Sequence, residues 1–439
     1  MSGMSGMSGV SSDARSSLPP LNVDLPPVEE AVRLPAGFRA GAVAAGIKAS
    51  GGLDLGVLAT MNGPASVAGT FTTSRLPAAP IRLSRTHLEA TAGRTMAILS
   101  TSGCANAATG DAGDRDQAEL ADLLAASLGI KREQTLAVST GLIGSRLPVD
   151  RLREPLTRLA SEGLAATDAA FGALAEQLMT TDTRPKAATV RLDIRGADGR
   201  PRTVTVAGIA KGVGMIHPHM ATMLAFVATD AAAEPHTLGT VLSRATERTW
   251  NQLTVDGDMS TNDTVFLLAS GASGAVPVEV DDAAVDSLAG AVEAVARSLA
   301  RQQAADGEGA TTLLTCAVSG ARDDAEARAV ARAVVGSSLV KAAAHGRDPN
   351  WGRILAAVGT AAVDGRPVPI DERLLVVGLC GVTVFAGEPV PFDRDALARR
   401  MASPELEVRV DLGAGGGTGE AWGCDLTEAY VAENSAYST

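Results

Sequence analysis

Short apolar runs bounded by glycine alternate along this chain with longer segments whose apolar residues recur every three or four positions. The runs at residues 53–60, 95–100 and 135–141 are rich in Val, Ala and Leu, and they predict β-strands that end in loops. The segments at residues 114–129 and 169–179 predict amphipathic helices that pack on a sheet. We therefore expect a mixed α/β architecture.

A second region of the same kind begins near Pro277. Residues 278–307 have a helical period, residues 311–321 predict a strand, and residues 326–344 predict another helix. This order of elements predicts a compact α/β lobe. The predicted organisation is a main domain over residues 31–276 and a smaller α/β domain over residues 277–439.

The N-terminal segment, residues 1–30, differs from both predicted domains. It opens with MSG repeated three times and continues with a Ser- and Pro-rich stretch. It has too few apolar side chains to offset the entropy that is lost when a chain becomes ordered. We expect a disordered tail over residues 1–30.

The composition excludes several classes of function. The chain has 38 Lys and Arg against 50 Asp and Glu, and the resulting net charge of −12 repels nucleic-acid phosphates and anionic lipids. No apolar run approaches the roughly 20 residues of a membrane span, and the N-terminus lacks the basic and then apolar order of a signal peptide. The four cysteines form no CxxC pair, which is typical of reduced thiols in a cytosol. We expect a cytoplasmic protein that binds neither nucleic acid nor a membrane.

The most informative segment is residues 207–230, where a Gly-containing turn opens an apolar run that includes one small polar residue, Thr222. From composition alone, this run is a buried helix or strand in which the Thr222 hydroxyl makes a hydrogen bond inside the core. The order of its residues gives a second interpretation.

The succession KGxGMI, Pro, MATML and a strand ending in TD closely resembles the ornithine acetyltransferase family, also called the bifunctional glutamate N-acetyltransferases. The similarity to that family extends over about residues 34–439. Further segments of the chain resemble motifs of that family and occur in the same order. They are STGLIG at 139–144, MTTDTRPK at 179–186, VDGDMSTNDT at 255–264, DGEGATTL at 306–313, AAAHGRDPNWGRILAA at 342–357 and the terminal ENSAYST.

The resemblance implies that the precursor cuts itself between Ala221 and Thr222, inside the main domain, into an α chain of residues 1–221 and a β chain of residues 222–439. A hydroxyl beside the preceding carbonyl can shift the acyl group from nitrogen to oxygen, and hydrolysis of that ester frees the α-amino group. Such an amine titrates at about 7.7–8.0, so a useful fraction is neutral and can take the hydroxyl proton. Thr222 is thereby implied to be both nucleophile and base.

The resemblance also implies which residues stabilise the intermediate and bind the substrate. Thr140 and Gly141 match the family's oxyanion hole, although the same residues suit an ordinary turn at a strand end. Lys211 can neutralise an α-carboxylate and Glu308 can hold an ammonium group, the alternative for both being surface salt bridges. The full set that matches the family's substrate contacts is Thr180 or Thr181, Lys211, Thr222, Glu308, Asn434 and Thr439, and the last two imply that the C-terminal segment returns to the active site.

One charged segment is expected to be structural. The loop around His345, Arg347 and Arg353 looks like a catalytic or phosphate-binding loop. Its Pro-Asn and Asn-Trp pairs favour a structured turn before a helix, which stabilises the loop near the site.

Several motif positions depart from the family's usual residues. They are Thr101, Cys104, His217, His219 and Met259. They fit either neutral drift within a subfamily or a paralogue with a different acyl donor or acceptor. His219 can titrate near neutrality, and Cys104 fits a small buried residue better than a reactive one.

The function implied by the resemblance is a ping-pong acyltransferase that moves an acetyl group from N2-acetylornithine to glutamate in arginine biosynthesis. An acyltransferase of specialised metabolism and an N-terminal-nucleophile amidohydrolase or aminopeptidase are the alternatives. No cofactor is required by this chemistry, and the five histidines form no HExxH or similar cluster that would predict a metal site. The implied architecture is a layered αββα-like α/β fold with a second, smaller α/β domain, processed into a heterodimer that pairs into α2β2 or a higher assembly.

Overall fold

The strands at residues 55–60, 224–229 and 264–269 are buried at every position, a pattern typical of sheets that are covered on both faces. A computed structural model describes Leu18, residues 24–217 and residues 223–436 of the chain. The strands of its larger unit are β1 (Phe38–Val43), β2 (Leu55–Thr60), β3 (Ala65–Phe71), β4 (Arg94–Thr95), β5 (Ala97–Cys104), β6 (Thr135–Leu142), β7 (Lys186–Arg195), β8 (Pro201–Lys211), β9 (Leu224–Thr229) and β10 (Thr264–Ala269).

These strands form two sheets. One has four strands in the order β1-β2-β5-β6, and the other has six in the order β4-β3-β10-β9-β8-β7. Within them β5 runs parallel to β6 and β9 runs parallel to β10, whereas the other neighbours are antiparallel.

Six helices accompany these sheets, and two of them begin at residues whose side chains cap the helix. Thr167 and Asp281 each accept a hydrogen bond from a backbone N–H of the first turn. The helices are α1 (Ala79–Ala90), α2 (Gly110–Leu128), α3 (Val149–Glu162), α4 (Asp168–Leu178), α5 (Pro235–Arg248) and α6 (Asp282–Ala305).

Side-chain alternation shows how the layers are arranged. In β9, Phe226 shares a core with Ile98 of β5, so these faces of the two sheets pack on each other. In β2, Val57 faces the opposite way and packs with Leu124 of α2 and with residues of α3. On the far face of the six-stranded sheet, α5 covers β3 and α6 covers β7 and β8. The order helix, sheet, sheet, helix confirms the predicted layered α/β fold.

The smaller unit comprises residues 311–427 together with Leu18 and has its own apolar core. Its elements are β11 (Leu313–Ala321), α7 (Asp324–Gly336), α8 (Ser338–His345), α9 (Trp351–Val358), β12 (Ala362–Val363), β13 (Arg366–Pro367), β14 (Val376–Leu379), β15 (Val382–Ala386), α10 (Arg394–Arg400), β16 (Glu405–Asp411) and β17 (Gly417–Cys424). Its five-stranded sheet has the order β15-β14-β16-β11-β17, and α7 packs on β11 and β17.

The compact units divide differently from the division expected near Pro277. The larger unit extends to Ala310 and also includes the last helix, α11 (Glu428–Ala436). The reason is that α6, although it resembles the helices of the smaller unit in sequence, packs on β7 and β8. A helical period identifies an apolar face but does not say which sheet covers it.

The expected N-terminal tail is described only in part, because residues 1–17 and 19–23 lie outside the described residues. Glu29, which the composition assigns to that tail, exchanges two backbone hydrogen bonds with Thr189 of β7 at 2.9 and 2.8 Å. Residues near Glu29 therefore cover the edge of the six-stranded sheet. No described helix combines the length and the apolar character that crossing a membrane requires.

The packing of the two sheets predicts a large loss of stability when Phe226 is truncated. Phe226 is fully buried between the sheets, so Phe226→Ala leaves a cavity and should lower the free energy of unfolding by about 3–5 kcal/mol. Leu76→Ala is the control, because that side chain is 75% exposed, and its effect should stay within about 0.5 kcal/mol. Thermal unfolding followed by circular dichroism measures both, and equal midpoints for the two variants would contradict the packing.

Candidate active site

A cavity of about 310 Å³ opens in the larger unit where strands of both sheets end. The ends of β5, β6 and β8 reach it, together with the loop before β10, the turn after α6 and the helix α11. Its lining residues are Ala105, Thr140, Gly141, Ile143, Thr180, Thr181, Lys211, Gly214, Met215, Asp256, Asp258, Met259, Ser260, Thr261, Asn262, Glu308, Tyr430 and Asn434.

The structure brings together most residues that the sequence analysis singled out. Thr140, Gly141, Thr180, Thr181, Lys211, Glu308 and Asn434 all line this cavity. Ala221, Thr222 and Thr439, as well as His219, lie outside the described residues.

Asn262 holds the two sheets together beside the cavity. Its side-chain amide donates hydrogen bonds to the carbonyl oxygens of Ala105, at 2.7 Å, and Ser139, at 2.8 Å. Those carbonyls belong to the ends of β5 and β6, whereas Asn262 precedes β10 of the other sheet. The buried amide thus sets the distance between the two walls of the site.

Gly141 lies where β5 and β6 approach too closely for a side chain. Its φ is +125°, and a Cβ there would lie 2.4 Å from the carbonyl carbon of Gly103. Only glycine fits this position, so the backbone of residues 140 and 141 reaches the cavity wall unobstructed. Thr140 beside it is buried, and its hydroxyl accepts a hydrogen bond from the Lys211 ammonium at 3.3 Å.

Lys211 is a buried cation at the end of β8. Its Nζ lies 4.0 Å from Oδ2 of Asp182, and only 3% of the residue is exposed. Burial lowers the pKa of Lys211 below its usual range, although the Asp182 carboxylate opposes that change. Lys211 therefore places a titratable amino group on the wall of the cavity.

Asp182 belongs to an ion cluster beneath Lys211. Lys186, which is completely buried, donates to Asp182 and to Asp306 at 2.7 Å each. Asp182 also accepts from the backbone N–H of Gly212 at 2.8 Å. Burial alone would raise the pKa of Asp182, but Lys211 and Lys186 outweigh it and lower that pKa. The cluster fixes the backbone at Gly212, directly after Lys211.

Glu308 is one of the carboxylates that line the cavity. Its carboxylate accepts hydrogen bonds from the Thr181 hydroxyl at 2.8 Å and from the Asn434 amide at 2.9 Å. Gly214 makes room for it, because a Cβ there would lie 2.3 Å from a Glu308 carboxylate oxygen. The KGxGM motif therefore needs its second glycine for the close approach of Glu308.

Asp256 holds the turn that leads toward Thr222. Its carboxylate accepts from the backbone N–H groups of Met215, at 2.5 Å, and Ile216, at 2.8 Å. Met215 has a left-handed backbone, with φ of +55°. Tyr430 of α11 hydrogen-bonds to the same carboxylate, and burial together with Asp256 raises the pKa of Tyr430.

Several of these residues were not singled out by the sequence analysis. They are Asp182, Lys186, Asp256, Asn262, Asp263, Asp306 and Tyr430. For one of the acids the sequence contained an indication. Asp263 directly precedes the apolar strand β10, and burying a carboxylate there costs free energy unless it is hydrogen-bonded or has a functional role. Tyr430 carries no such signal.

The motif residues that depart from the family's usual residues differ from one another in their surroundings. Cys104 is buried, its thiol donates to the Ser145 carbonyl, and burial raises its pKa, so it is not a reactive thiolate. His217 is exposed, and its Nδ1 lies 3.5 Å from the Thr254 hydroxyl. Met259 lines the cavity and is 39% exposed, which makes it the departure best placed to contact a substrate.

The charged loop around His345 belongs to the smaller unit, and its side chains make local contacts. His345 lies 3.2 Å from Asp425, Arg353 donates to the Leu339 carbonyl, and Asp348 pairs with Arg394. These contacts agree with a structural role. Within the residues that the structure describes, no group of three or more His, Cys, Asp or Glu is arranged to hold a metal ion.

Comparison with known proteins identifies the family. A model of the ArgJ family matches residues 39–439. The arginine biosynthesis bifunctional protein ArgJ of Thermus thermophilus is 46% identical over 409 residues, which cover 93% of this chain and 100% of that protein. The ArgJ protein of Thermosynechococcus vestitus is 43% identical over 419 residues, which cover 92% of this chain and 96% of that protein.

Two solved structures are also similar. The crystal structure of ArgJ from Bacillus halodurans is 38% identical and covers 48% of this chain and 98% of its own, with a TM-score of 0.46. The ornithine acetyltransferase of Mycobacterium tuberculosis, complexed with ornithine, is 36% identical and covers 44% of this chain and 97% of its own, with a TM-score of 0.39.

The match of the family model over residues 39–439 and the identity to full-length relatives lead to one conclusion. The chain belongs to the ArgJ family, the acetyl-transferring enzymes of arginine biosynthesis.

Proposed function

We propose that this chain cleaves itself between Ala221 and Thr222, and that Thr222 then carries the acetyl group from N2-acetylornithine to glutamate. The observation that supports this most is the cavity, which combines a buried cation, Lys211, with a carboxylate, Glu308. N2-acetylornithine presents the complementary charges, an α-carboxylate for Lys211 and a side-chain ammonium for Glu308. Met215, which lines the cavity, and Met223 lie in the sequence on either side of the segment that contains Thr222.

The reaction has two halves. The Thr222 hydroxyl attacks the acetyl carbonyl, its own α-amino group takes the hydroxyl proton, and ornithine leaves with a free amine. The amine of glutamate then attacks the acetyl ester and releases Thr222. In both halves, Thr140 and Gly141 stabilise the oxyanion, a role supported by their place in the lining of the cavity.

Substrate recognition follows from the charges. Lys211 binds the α-carboxylate, and Glu308 binds an ammonium group with Thr181 and Asn434 as its neighbours. Thr180 and Thr439 complete the proposed binding set. The oxygen of Thr140, already bonded to Lys211, links the binding cation to the oxyanion hole.

We also propose how the two chains assemble and in which compartment they lie. The α chain of residues 1–221 and the β chain of residues 222–439 stay together and pair into α2β2 or a higher assembly. All four cysteines are free in the structure, which fits the reducing cytoplasm as the compartment.

Thr222→Ala tests the central claim. The full-length variant should remain a single chain and should show no acetyl transfer, because no N-terminal hydroxyl or amine is formed. The wild-type chain should give two chains on a denaturing gel, with intact masses that place the break after Ala221. Thr240→Ala, on the exposed face of α5, should behave as wild type. Normal processing of Thr222→Ala would contradict the proposal.

Lys211→Ala tests recognition of the carboxylate. Losing a hydrogen bond to a charged group is expected to lower kcat/KM for N2-acetylornithine by roughly 10- to 150-fold, or about 1.5–3 kcal/mol. Lys131→Ala, at an exposed position, should leave it unchanged.

The lowered pKa of Lys211 predicts how the affinity for the substrate depends on pH. The ammonium charge of Lys211 is present below its pKa and is lost above it, and burial places that pKa below 10.5. The affinity of the wild-type enzyme for N2-acetylornithine should therefore fall as pH rises through the lowered pKa, and Lys211→Ala should lack this fall. Identical KM profiles against pH for the two proteins would show that Lys211 does not bind the carboxylate.

A further inference from the structure

The Asp263 carboxyl is a buried acid that is only half satisfied. It lies at the start of β10 with 1% of the residue exposed. Oδ1 accepts a hydrogen bond from the backbone N–H of Met223 at 2.9 Å. Oδ2 is buried and has no hydrogen-bond partner among the described residues. A buried polar oxygen without a partner costs free energy, so its presence in a folded protein indicates a functional role.

The position of Asp263 relative to the chain is informative. The Met223 nitrogen that donates to Oδ1 is the atom joined by the peptide bond to Thr222. Covalent geometry keeps the backbone nitrogen of a residue within roughly 4 Å of the nitrogen that follows it. Asp263 therefore lies one residue from the bond that the proposed self-cleavage breaks.

The other buried acids near the site are already engaged. Asp182 accepts from Lys186, Gly212 and Thr180 through its two oxygens. Asp256 accepts from the backbone of the turn that leads toward Thr222. Among these three acids, Asp263 is the one with an oxygen available for a new bond.

The surroundings of Asp263 favour the protonated acid. Burial raises its pKa well above the usual range, and the charged group that acts on it is Lys211 of β8, which lowers that pKa by a smaller amount. Lys211 itself interacts with Asp182, Lys186 and Glu308 as well. Asp263 is absent from the cavity lining, so its role concerns the enzyme chain and not the substrate.

We propose that the Asp263 carboxyl carries the proton for the backbone nitrogen of Thr222. This role rests on the proposed function of Thr222 as a self-liberated nucleophile. During cleavage, a bond forms between the Thr222 hydroxyl oxygen and the Ala221 carbonyl carbon, and the bond from that carbon to the Thr222 nitrogen breaks. The carboxylic proton passes to the departing nitrogen, and the hydroxyl proton replaces it on Asp263. Water then hydrolyses the ester to the Ala221 carboxylate and the free hydroxyl.

The same contact serves the mature enzyme. When the Thr222 amine takes the hydroxyl proton during attack on the acetyl group, it becomes an ammonium ion. An oxygen of the Asp263 carboxyl then accepts a hydrogen bond from that cation. The proton is passed from the ammonium to the leaving ornithine amine, so the balance of protons closes within each turnover.

The test compares Asp263→Asn with Asp230→Asn in the full-length chain. An asparagine at 263 keeps the shape and can still accept from Met223, but has no carboxylic proton to give. Asp230 is the matched control, because it is also buried, has a raised pKa and accepts from backbone N–H groups of Thr205 and Ala36. The chains are made by cell-free translation, and cleavage is followed from the intact precursor on denaturing gels.

Asp263→Asn is expected to cleave at least about 100-fold more slowly, which is the usual scale for losing a general acid. Asp230→Asn should cleave at the wild-type rate, and circular dichroism and thermal unfolding should show that both variants are folded. The wild-type rate should fall as pH rises through the raised pKa of Asp263, because the acid then loses its proton, and Asp263→Asn should lack this dependence.

Cleavage of folded Asp263→Asn at the wild-type rate would overturn the role of Asp263. A wild-type rate that does not decrease with pH would also overturn it, and this measurement needs no variant. The parallel Thr222→Ala chain separates the two proposals. If Thr222→Ala is cleaved, the proposed function fails, whereas an intact Thr222→Ala beside a normally cleaved Asp263→Asn removes only the role of Asp263.

Discussion

A single buried amide joins the two sheets at the place where the site is built. Asn262 precedes a strand of the six-stranded sheet, and its two hydrogen bonds end on carbonyl oxygens at the ends of β5 and β6 of the other sheet. Because both bonds are buried, losing either would leave an unsatisfied carbonyl, which makes the distance between the walls difficult to change. The oxyanion-hole candidates on one wall and Lys211 on the other are held in reach of each other by this junction.

The second constraint is electrostatic. A cation as deeply buried as Lys211 is tolerated because acids lie beside it, and these acids are themselves held by Lys186 and by backbone N–H groups. The cluster leaves the cavity with a cation near Thr140 and a carboxylate near Asn434. This separation of charge is complementary to the α-carboxylate and the side-chain ammonium of the proposed donor.

The glycines of the site show how close the backbone must come to these groups. At Gly141 the neighbouring strand leaves no space for a Cβ, and at Gly214 the space is taken by the Glu308 carboxylate. The geometry of the site therefore requires the glycines of these motifs, which are also typical of the family. Met215, which follows Gly214, takes a left-handed backbone that Asp256 stabilises through its carboxylate.

The sequence by itself determined the class of the elements with a clear apolar period, and the chemistry to look for. Periodicity is a local property, so the strands at 53–60 and 135–141 and the helices at 114–129 and 169–179 were predicted near their observed bounds. Ordered motifs identified the family and named the candidate residues. Only the tertiary structure decided that α6 belongs with β7 and β8, and that Thr140, Lys211, Glu308 and Asn434 share one cavity. It also decided that Asp263 is buried with one oxygen that has no partner among the described residues. Burial and pairing depend on residues far apart in the chain, and no local pattern records which of them will meet.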